Sequence, residues 1–134
     1  MENSPSNKTS RQNLGNKGED IACEWYLENG FEIVDRNVHV KRVGEIDIVA
    51  SQSVQNEIAY IFSEVKARRG SSAGFGYESV NHAKLIRMRK CAISWIGENV
   101  EFGRKRISWR LDVVSIDMSE NPPVVSVFEN VEVD

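Results

Sequence analysis

Two β-strands are predicted within residues 44–68, which read GEIDIVASQSVQNEIAYIFSEVKAR. Residues 45–50 and 57–67 are rich in β-branched and aromatic side chains, and residues 51–56 between them are typical of a turn. A third run of this kind, residues 31–40, precedes them across the short break Arg42-Val43-Gly44. Because connections this short leave no room for a crossover helix, we expect an antiparallel meander of three strands.

Helical periodicity appears on both sides of the meander. Apolar residues recur at helical spacing over residues 14–29, and Gly30 supplies a C-terminal stop. A second helix is expected to start at a cap, Ser79 or Asn81, and to run to about Asn99. A helix that joins two strands of one sheet in a right-handed crossover makes those strands parallel.

Two further strands are predicted at residues 107–118 and 124–131. The fold class is therefore α/β: an αβββαβ core with a mixed central sheet and an extra C-terminal strand. Residues 1–13 are polar and lack apolar periodicity, so we expect a disordered arm there and a single domain over residues 14–134.

Composition excludes several classes of protein. The chain has 134 residues, of which 40% are hydrophobic, and its longest apolar run, residues 58–62, is too short to cross a bilayer. Residues 1–13 have no apolar stretch of the kind found in secretory signals. Two cysteines without an export signal indicate reduced thiols in the cytoplasm rather than a disulfide framework.

The charge is distributed unevenly along the chain. The formal net charge is −3, yet residues 60–110 carry 11 Lys or Arg against four Asp or Glu. Because screening limits electrostatic attraction to about 10 Å at 0.1 M salt, a local basic surface can bind a polyanion despite the negative total. An ordinary mixed-charge surface explains the same counts, so charge alone leaves both interpretations open.

The two strands of residues 44–68 carry charged side chains in otherwise apolar sequence. Side chains alternate along a strand, which predicts that Glu45 and Asp47 share one face while Ile46 and Ile48 take the other. Central strands rarely carry ionised groups without a functional or structural reason.

A hairpin register exists that sets Asp47 beside Glu64 and Lys66. Two carboxylates about 4 Å apart repel by roughly 4 kcal/mol at an effective dielectric of 20, and one lysine offsets only part of that cost. A divalent cation such as Mg²⁺ makes the cluster favourable and can activate water for attack on a phosphodiester, with Lys66 beside it. Cross-strand Glu–Lys pairs also decorate solvated strand faces, which is the structural alternative.

The chain resembles the YraN-like family of small bacterial proteins, which belongs to the PD-(D/E)xK nuclease superfamily and is related to archaeal-type Holliday junction resolvases. The resemblance covers about residues 14 to 130. The matching strings are Gly18-Glu19 with Ala22 and Leu27-x-x-Gly30, Arg36-Asn37, Gly44-Glu45-Ile46-Asp47-Ile48-Val49-Ala50, Phe62-x-Glu64-Val65-Lys66-x-Arg68, Phe75-Gly76, Val80 followed by Lys84, and Arg110-x-Asp112-Val113-Val114. The chain departs from the pattern at Ser63, where the family has an apolar residue that should face away from the site, and at Ile46, where the superfamily's name has proline.

The resemblance implies that the αβββαβ core is restriction-endonuclease-like. It also implies a metal-dependent DNA endonuclease that uses Mg²⁺ or Mn²⁺ and recognises structure rather than base sequence. It implies that Asp47 and Glu64 are metal ligands and that Lys66 is the catalytic lysine. Glu19 corresponds to an accessory catalytic acid, and Glu45 is expected to approach the site from the start of its strand. The resemblance also implies a homodimer.

Residues near the predicted site supply candidate contacts to nucleic acid. Arg68, Arg69 and Lys84 are expected to bind phosphates, whereas Arg87 and later cations are expected to be ordinary surface charges. In the glycine-rich loop at residues 68–77, two aromatic residues are candidates for base stacking: Phe75 and Tyr77.

Other polar and sulfur-containing residues have structural interpretations. Arg110 and Asp112 share a face of the fourth strand, where we expect a structural ion pair. Cys23 and Cys91 fall within helices and are expected to be buried.

Three functions remain open at this point. The first is the endonuclease. The second is a non-catalytic nucleic-acid-binding protein that retains the nuclease fold. The third is an interaction protein whose acidic tail, residues 120–134, meets a basic partner.

Overall fold

The computed structural model describes residues 10–69, 81–103 and 105–132. The glycine-rich segment with Phe75 and Tyr77, and the alternative cap Ser79, lie outside the described residues. The described chain forms the following elements in order: α1 (Ser10–Glu28), β1 (Glu32–Val40), β2 (Gly44–Val54), β3 (Glu57–Arg68), α2 (His82–Asn99), β4 (Arg106–Asp117) and β5 (Val124–Phe128).

The five strands form one mixed sheet in the order β1-β2-β3-β4-β5. β1, β2 and β3 pair antiparallel, which confirms the predicted meander, because connections of three and two residues allow only adjacent antiparallel strands. β3 and β4 pair in parallel over their whole length, and α2 is the helix that joins them. β5 adds antiparallel to β4. The predicted α/β class, with an αβββαβ core and a C-terminal strand, is confirmed.

The two helices cover opposite faces of the sheet. Ala22, Cys23 and Tyr26 of α1 pack with Ile48 and Ile61 in one core cluster. We call this side the α1 face. Over the described residues, neither helix is long and apolar enough to cross a membrane.

A second cluster fills the opposite side, which we call the α2 face. It contains Leu85, Met88 and Trp95 of α2 together with Val49 and Phe62. Val49 and Phe62 directly follow Ile48 and Ile61 in sequence, as strand alternation requires. Cys23 and Cys91 are both free and buried, as expected, and they lie on opposite faces.

The helix ends are set by local hydrogen bonding. α1 begins at Ser10, within the segment predicted as an arm, and ends at Glu28, with Gly30 at a φ of 89° in the left-handed region. Asn81 caps α2: its side-chain oxygen accepts from the Lys84 amide at 2.8 Å. The predicted Gly30 stop and the Asn81 cap are therefore confirmed.

Two strand boundaries differ from the prediction. β2 continues through residues 51–53 to Val54, because these polar residues pair with β3, and the turn is only Gln55-Asn56, with Gln55 at a φ of 54°. β5 ends at Phe128 rather than near residue 131. The chain turns back at Asn130, whose φ is 54° and whose amide donates to Asp112 at 3.0 Å.

α1 packs unusually close to the end of β3 at Gly18. A Cβ atom at this position would lie 2.6 Å from Cβ of Ala67 and 3.7 Å from Cγ1 of Val65. Only glycine fits without displacing one element, so Gly18 permits the contact that brings the next residue, Glu19, over the central strands.

Candidate functional site

The strand that carries Asp47 changes faces at that residue. Ile46 packs in the cluster on the α2 face, whereas Ile48 packs in the cluster on the α1 face. The expectation that Ile46 and Ile48 share a face is therefore wrong. Regular alternation would put both on one side, so the backbone departs from the regular pleat at Asp47, between them.

The neighbouring strand makes the same change at Asn37, opposite Asp47. β1 and β2 pair at Arg36↔Ile48 and at Val38↔Ile46, which leaves Asn37 and Asp47 as the intervening residues. Asn37 has a φ of 53°, a conformation that asparagine tolerates better than most residues. As a result, Arg36 contacts α1 while Val38 packs on the α2 face.

β2 and β3 separate at the same level, and Asp47 fills the gap. Their ladder ends at Ile48↔Ser63, so the backbone amides of the following residues of β3 need other acceptors. The Val65 amide donates to Oδ2 of Asp47 at 2.7 Å. This hydrogen bond holds the Asp47 carboxylate beside Glu64, the residue before Val65.

Glu64 lies on the α2 face between two ammonium groups. Its side chain is 8% exposed; Oε2 is 3.3 Å from Nζ of Lys66, and Oε1 is 3.6 Å from Nζ of Lys84. Lys66 follows from strand alternation, because residues two apart share a face. Lys84 comes from the first turn of α2, which Asn81 caps. Tertiary packing thus joins a second lysine to the pair on β3.

The Asp47 carboxyl is electrostatically strained. Burial raises its pKa from 3.8 to about 7, and repulsion by Glu64 is the next largest cause. The hydrogen bond from Val65 and the charge of Lys84 act in the opposite direction, and Glu19 raises the pKa further. The protein therefore holds a carboxyl that is incompletely compensated near neutral pH, which is common at functional sites.

Glu19 approaches from the other side of the sheet. Its side chain is largely buried, with Oε1 3.5 Å from Nη2 of Arg36, and that oxygen has no hydrogen-bond partner within the described part of the chain. Burial raises the pKa of Glu19, while Arg36 lowers it. Arg36 also pairs with Asp20 at 3.0 Å. Glu19 thus lies on the α1 face, whereas Glu64 lies on the α2 face.

The remaining candidates lie farther from this centre. Glu45 is 64% exposed at the start of β2, and its carboxylate is 3.9 Å from Nδ1 of His39 rather than joined to Asp47. Arg68 is half-buried at the end of β3, and Arg69 is exposed just beyond it. Both arginines therefore stand on the Lys66 end of the strand.

A metal ion at this centre would find few protein ligands among the described residues. Within residues 10–69, 81–103 and 105–132, no group of three or more His, Cys, Asp or Glu side chains is arranged to hold a metal ion. Asp47 and Glu64 thus offer two carboxylates. Mg²⁺ commonly takes one or two and completes its coordination with water and substrate oxygens.

A second polar cluster lies on the α1 face and has a different character. Asp112 is fully buried and accepts from Tyr26 Oη at 2.7 Å, from Arg110 Nε at 3.0 Å and from the Asn130 amide at 3.0 Å. The Tyr26 hydroxyl also bonds Ser63, which faces away from Glu64 as expected. The predicted ion pair between Arg110 and Asp112 is confirmed.

Two features of the site escaped the sequence interpretation. The contact of Lys84 with Glu64 was not predicted, because nothing in the sequence alone sets α2 beside that carboxylate. The expectation that Lys84 binds phosphate stays a prediction. The change of faces at Asp47 was also missed. Asn37, an asparagine inside an otherwise apolar strand, is the available signal for it.

Comparisons with known proteins identify the family. The profile of the uncharacterised protein family UPF0102 matches residues 18–116. A UPF0102 protein of Corynebacterium glutamicum is 37% identical over 127 residues, covering 93% of this chain and 96% of the relative. One from Corynebacterium efficiens is 39% identical over 128 residues, covering 93% and 96%, and one from Desulforamulus reducens is 35% identical over 117 residues, covering 87% and 91%. The chain belongs to the UPF0102 family.

Proposed function

We propose that this protein is a metal-dependent endonuclease of the PD-(D/E)xK superfamily that hydrolyses DNA phosphodiester bonds, selecting structure rather than base sequence. One observation carries the proposal: the buried Asp47 carboxylate, held by the Val65 amide, stands beside Glu64 and its lysines where β2 and β3 separate. The resemblance of the sequence to the YraN-like family, which is related to archaeal-type resolvases, supports the same activity. Free, buried cysteines support a cytoplasmic location.

The donor set fits a hard divalent cation, Mg²⁺ or Mn²⁺. Asp47 and Glu64 are the residues that would hold it, and the raised pKa of Asp47 indicates that the pair lacks sufficient positive charge of its own. The cation would supply Lewis-acid polarisation of a phosphodiester and a more acidic water.

Lys66 has the position required of a catalytic ammonium. Its side chain is 30% exposed, so it is accessible to substrate while its Nζ stays 3.3 Å from Glu64. From there it can orient an attacking water or stabilise negative charge on the phosphate. Glu19 contributes negative potential at Asp47 from the opposite face.

A second candidate function is nucleic-acid binding without catalysis. The specific observation in its favour is that Lys66 and Lys84 already pair with both oxygens of Glu64, so a large part of the site is neutralised by the protein itself. Such a protein would retain DNA, with an affinity that falls as the salt concentration rises. It would not cleave DNA, whichever metal ion is added.

A cleavage assay separates the two functions. Supercoiled plasmid, linear duplex and four-way branched DNA are incubated with the protein in MgCl₂ or MnCl₂, and products are resolved on gels. We expect cleavage that chelator abolishes, that Asp47→Asn reduces to background, and that Lys66→Ala reduces by about 10²–10⁴-fold, the usual contribution of a positioned acid–base or charge-stabilising group.

The matched control is Glu57→Gln, which removes an exposed carboxylate from the start of β3, the end of that strand far from Lys66. It should cleave like wild type. Circular dichroism and melting curves of each variant confirm that the fold is intact. Cleavage that persists in Asp47→Asn or in excess chelator contradicts the proposal, and DNA binding without cleavage in any metal establishes the alternative.

A further inference from the structure

One flank of α2 carries a row of cations. The first nine residues of the helix, HAKLIRMRK, contain four Lys or Arg and no acid. Lys84, Arg87 and Lys90 follow each other at three-residue spacing and so lie along the same flank. Arg89 lies around the helix on the other flank, beside Trp109 and Glu132. Among these cations, Lys84 lies in the first turn, where a positive charge opposes the helix dipole, so helix stability does not explain it.

The β1–β2 turn lies against this flank and adds two more cations. Val43 packs with the core cluster of α2, and a Cβ at Gly44 would lie 3.5 Å from Cβ of Arg87. Lys41 and Arg42 precede these contacts and are both exposed. We name Lys41, Arg42, Arg87 and Lys90 the basic surface.

The charge of the basic surface is not balanced locally. Across the described ranges 10–69, 81–103 and 105–132, none of its four side chains has a carboxylate within ion-pair distance. The carboxylate of the neighbouring acid Glu45 lies 3.9 Å from Nδ1 of His39. Four like charges on one face repel each other and are stabilised by a polyanion.

The basic surface is continuous with the candidate site. Lys84, on the same flank as Arg87, has its Nζ 3.6 Å from Glu64. Lys84 and Lys90 are six residues apart in sequence, which corresponds to about 9 Å along the helix. A phosphate backbone that reaches Glu64 would therefore remain in a region of positive potential as it continues over Arg87 and the β1–β2 turn.

We propose that the basic surface binds the phosphate backbone of the nucleic acid whose scissile bond lies at Asp47 and Glu64. Nucleic acid as the partner rests on the proposed function, and continuity with the Glu64 site favours it over an acidic protein or an anionic membrane. The contacts are to backbone, so binding is independent of base sequence. Arg87, expected from the sequence to be an ordinary surface charge, becomes a binding residue.

Binding is measured by fluorescence anisotropy of a labelled 30-bp duplex in chelator across a KCl series, so that cleavage plays no part. The test variant is Arg42→Ala/Arg87→Ala. The matched control, Arg89→Ala/Arg106→Ala, removes the same charge from the opposite flank of α2 and from the exposed start of β4. We expect the test variant to weaken binding by roughly 10–100-fold at 0.1 M salt. The slope of its log affinity against log salt should become shallower by about 2, since each phosphate contact contributes about 0.9. The control should retain the wild-type slope.

Equal losses of DNA affinity in the two double variants would show that only net charge matters and would overturn the proposal. A wild-type slope in the test variant, or no DNA binding by the wild-type protein, would overturn it as well. Preferential binding to polyglutamate or to phosphatidylglycerol vesicles through Arg42 and Arg87 would overturn nucleic acid as the partner. If cleavage is never observed but the slope falls as expected, the basic surface stands and the nuclease proposal fails. If cleavage is observed but the slope of the test variant is unchanged, the nuclease proposal stands and the proposal for the basic surface fails.

Discussion

Asp112 and Asp47 are buried carboxylates in the same sheet, and their surroundings differ. Asp112 accepts hydrogen bonds from a tyrosine, an arginine and a backbone amide. Asp47 accepts one bond, from Val65, stands beside a second carboxylate, and has its pKa raised to about 7.

Such a difference is expected between a structural carboxylate, Asp112, and a carboxylate of the proposed site, Asp47. A buried charge that its partners satisfy stabilises one arrangement of the fold, while an incompletely satisfied charge costs stability and is retained where a ligand completes it. Three predictions test this contrast, beginning with the largest expected effect.

Removing the structural carboxylate should unfold the protein most readily. Asp112→Ala removes a fully buried acceptor from Arg110, Tyr26 and the Asn130 amide, and leaves Arg110, among the described carboxylates, only the exposed Glu129 at 3.8 Å. We therefore expect a loss of about 3–5 kcal/mol in the free energy of unfolding. Urea denaturation followed by circular dichroism measures it. Tyr26→Phe, which keeps the ring and loses one hydrogen bond, should lose less. A loss below 1 kcal/mol in Asp112→Ala would remove the contrast.

Removing the Asp47 carboxylate should increase the free energy of unfolding instead of lowering it. The pKa of Asp47 is raised on folding, so its contribution to stability is complete below pH 3.8 and is lost as pH rises through about 7. Asparagine cannot ionise and can still accept the Val65 hydrogen bond. Asp47→Asn should therefore be more stable than wild type by about 1–3 kcal/mol at pH 8 in chelator, and should match it near pH 4.

Urea unfolding across this pH range measures the difference. If Asp47→Asn were less stable than wild type at pH 8, the carboxylate would be satisfied in the folded state and equivalent to Asp112.

A divalent cation should distinguish the two regions by ligand stabilisation. Mg²⁺ or Mn²⁺ at ten times its dissociation constant should stabilise wild type by about 1.4 kcal/mol, because a ligand that binds only the folded state shifts the unfolding equilibrium. Asp47→Asn and Glu64→Gln should lose this response, whereas Tyr26→Phe should keep it. Thermal melts over a metal titration provide the measurement. Equal stabilisation of all four proteins would place the cation elsewhere.

Much of the site could be predicted because it depends on local order in the chain. The alternation around Glu64 sets Lys66 on its face and Ser63 on the other, and both positions are observed. The alternation around Asp47 failed, since two strands leave the regular pleat together at Asn37 and Asp47. No period-two pattern contains that information.

The sequence by itself determined the order of elements, the antiparallel meander and the pair Glu64–Lys66. Apolar periodicity and short connections act over a few residues and admit few solutions. Only the tertiary structure decided that Lys84 reaches Glu64, that Tyr26 and Asp112 meet, and that the β1–β2 turn lies beside Arg87. These contacts join residues many positions apart, and they depend on how closely each helix packs on the sheet, as at Gly18. Such distances are set by the shapes of both surfaces and not by either segment alone.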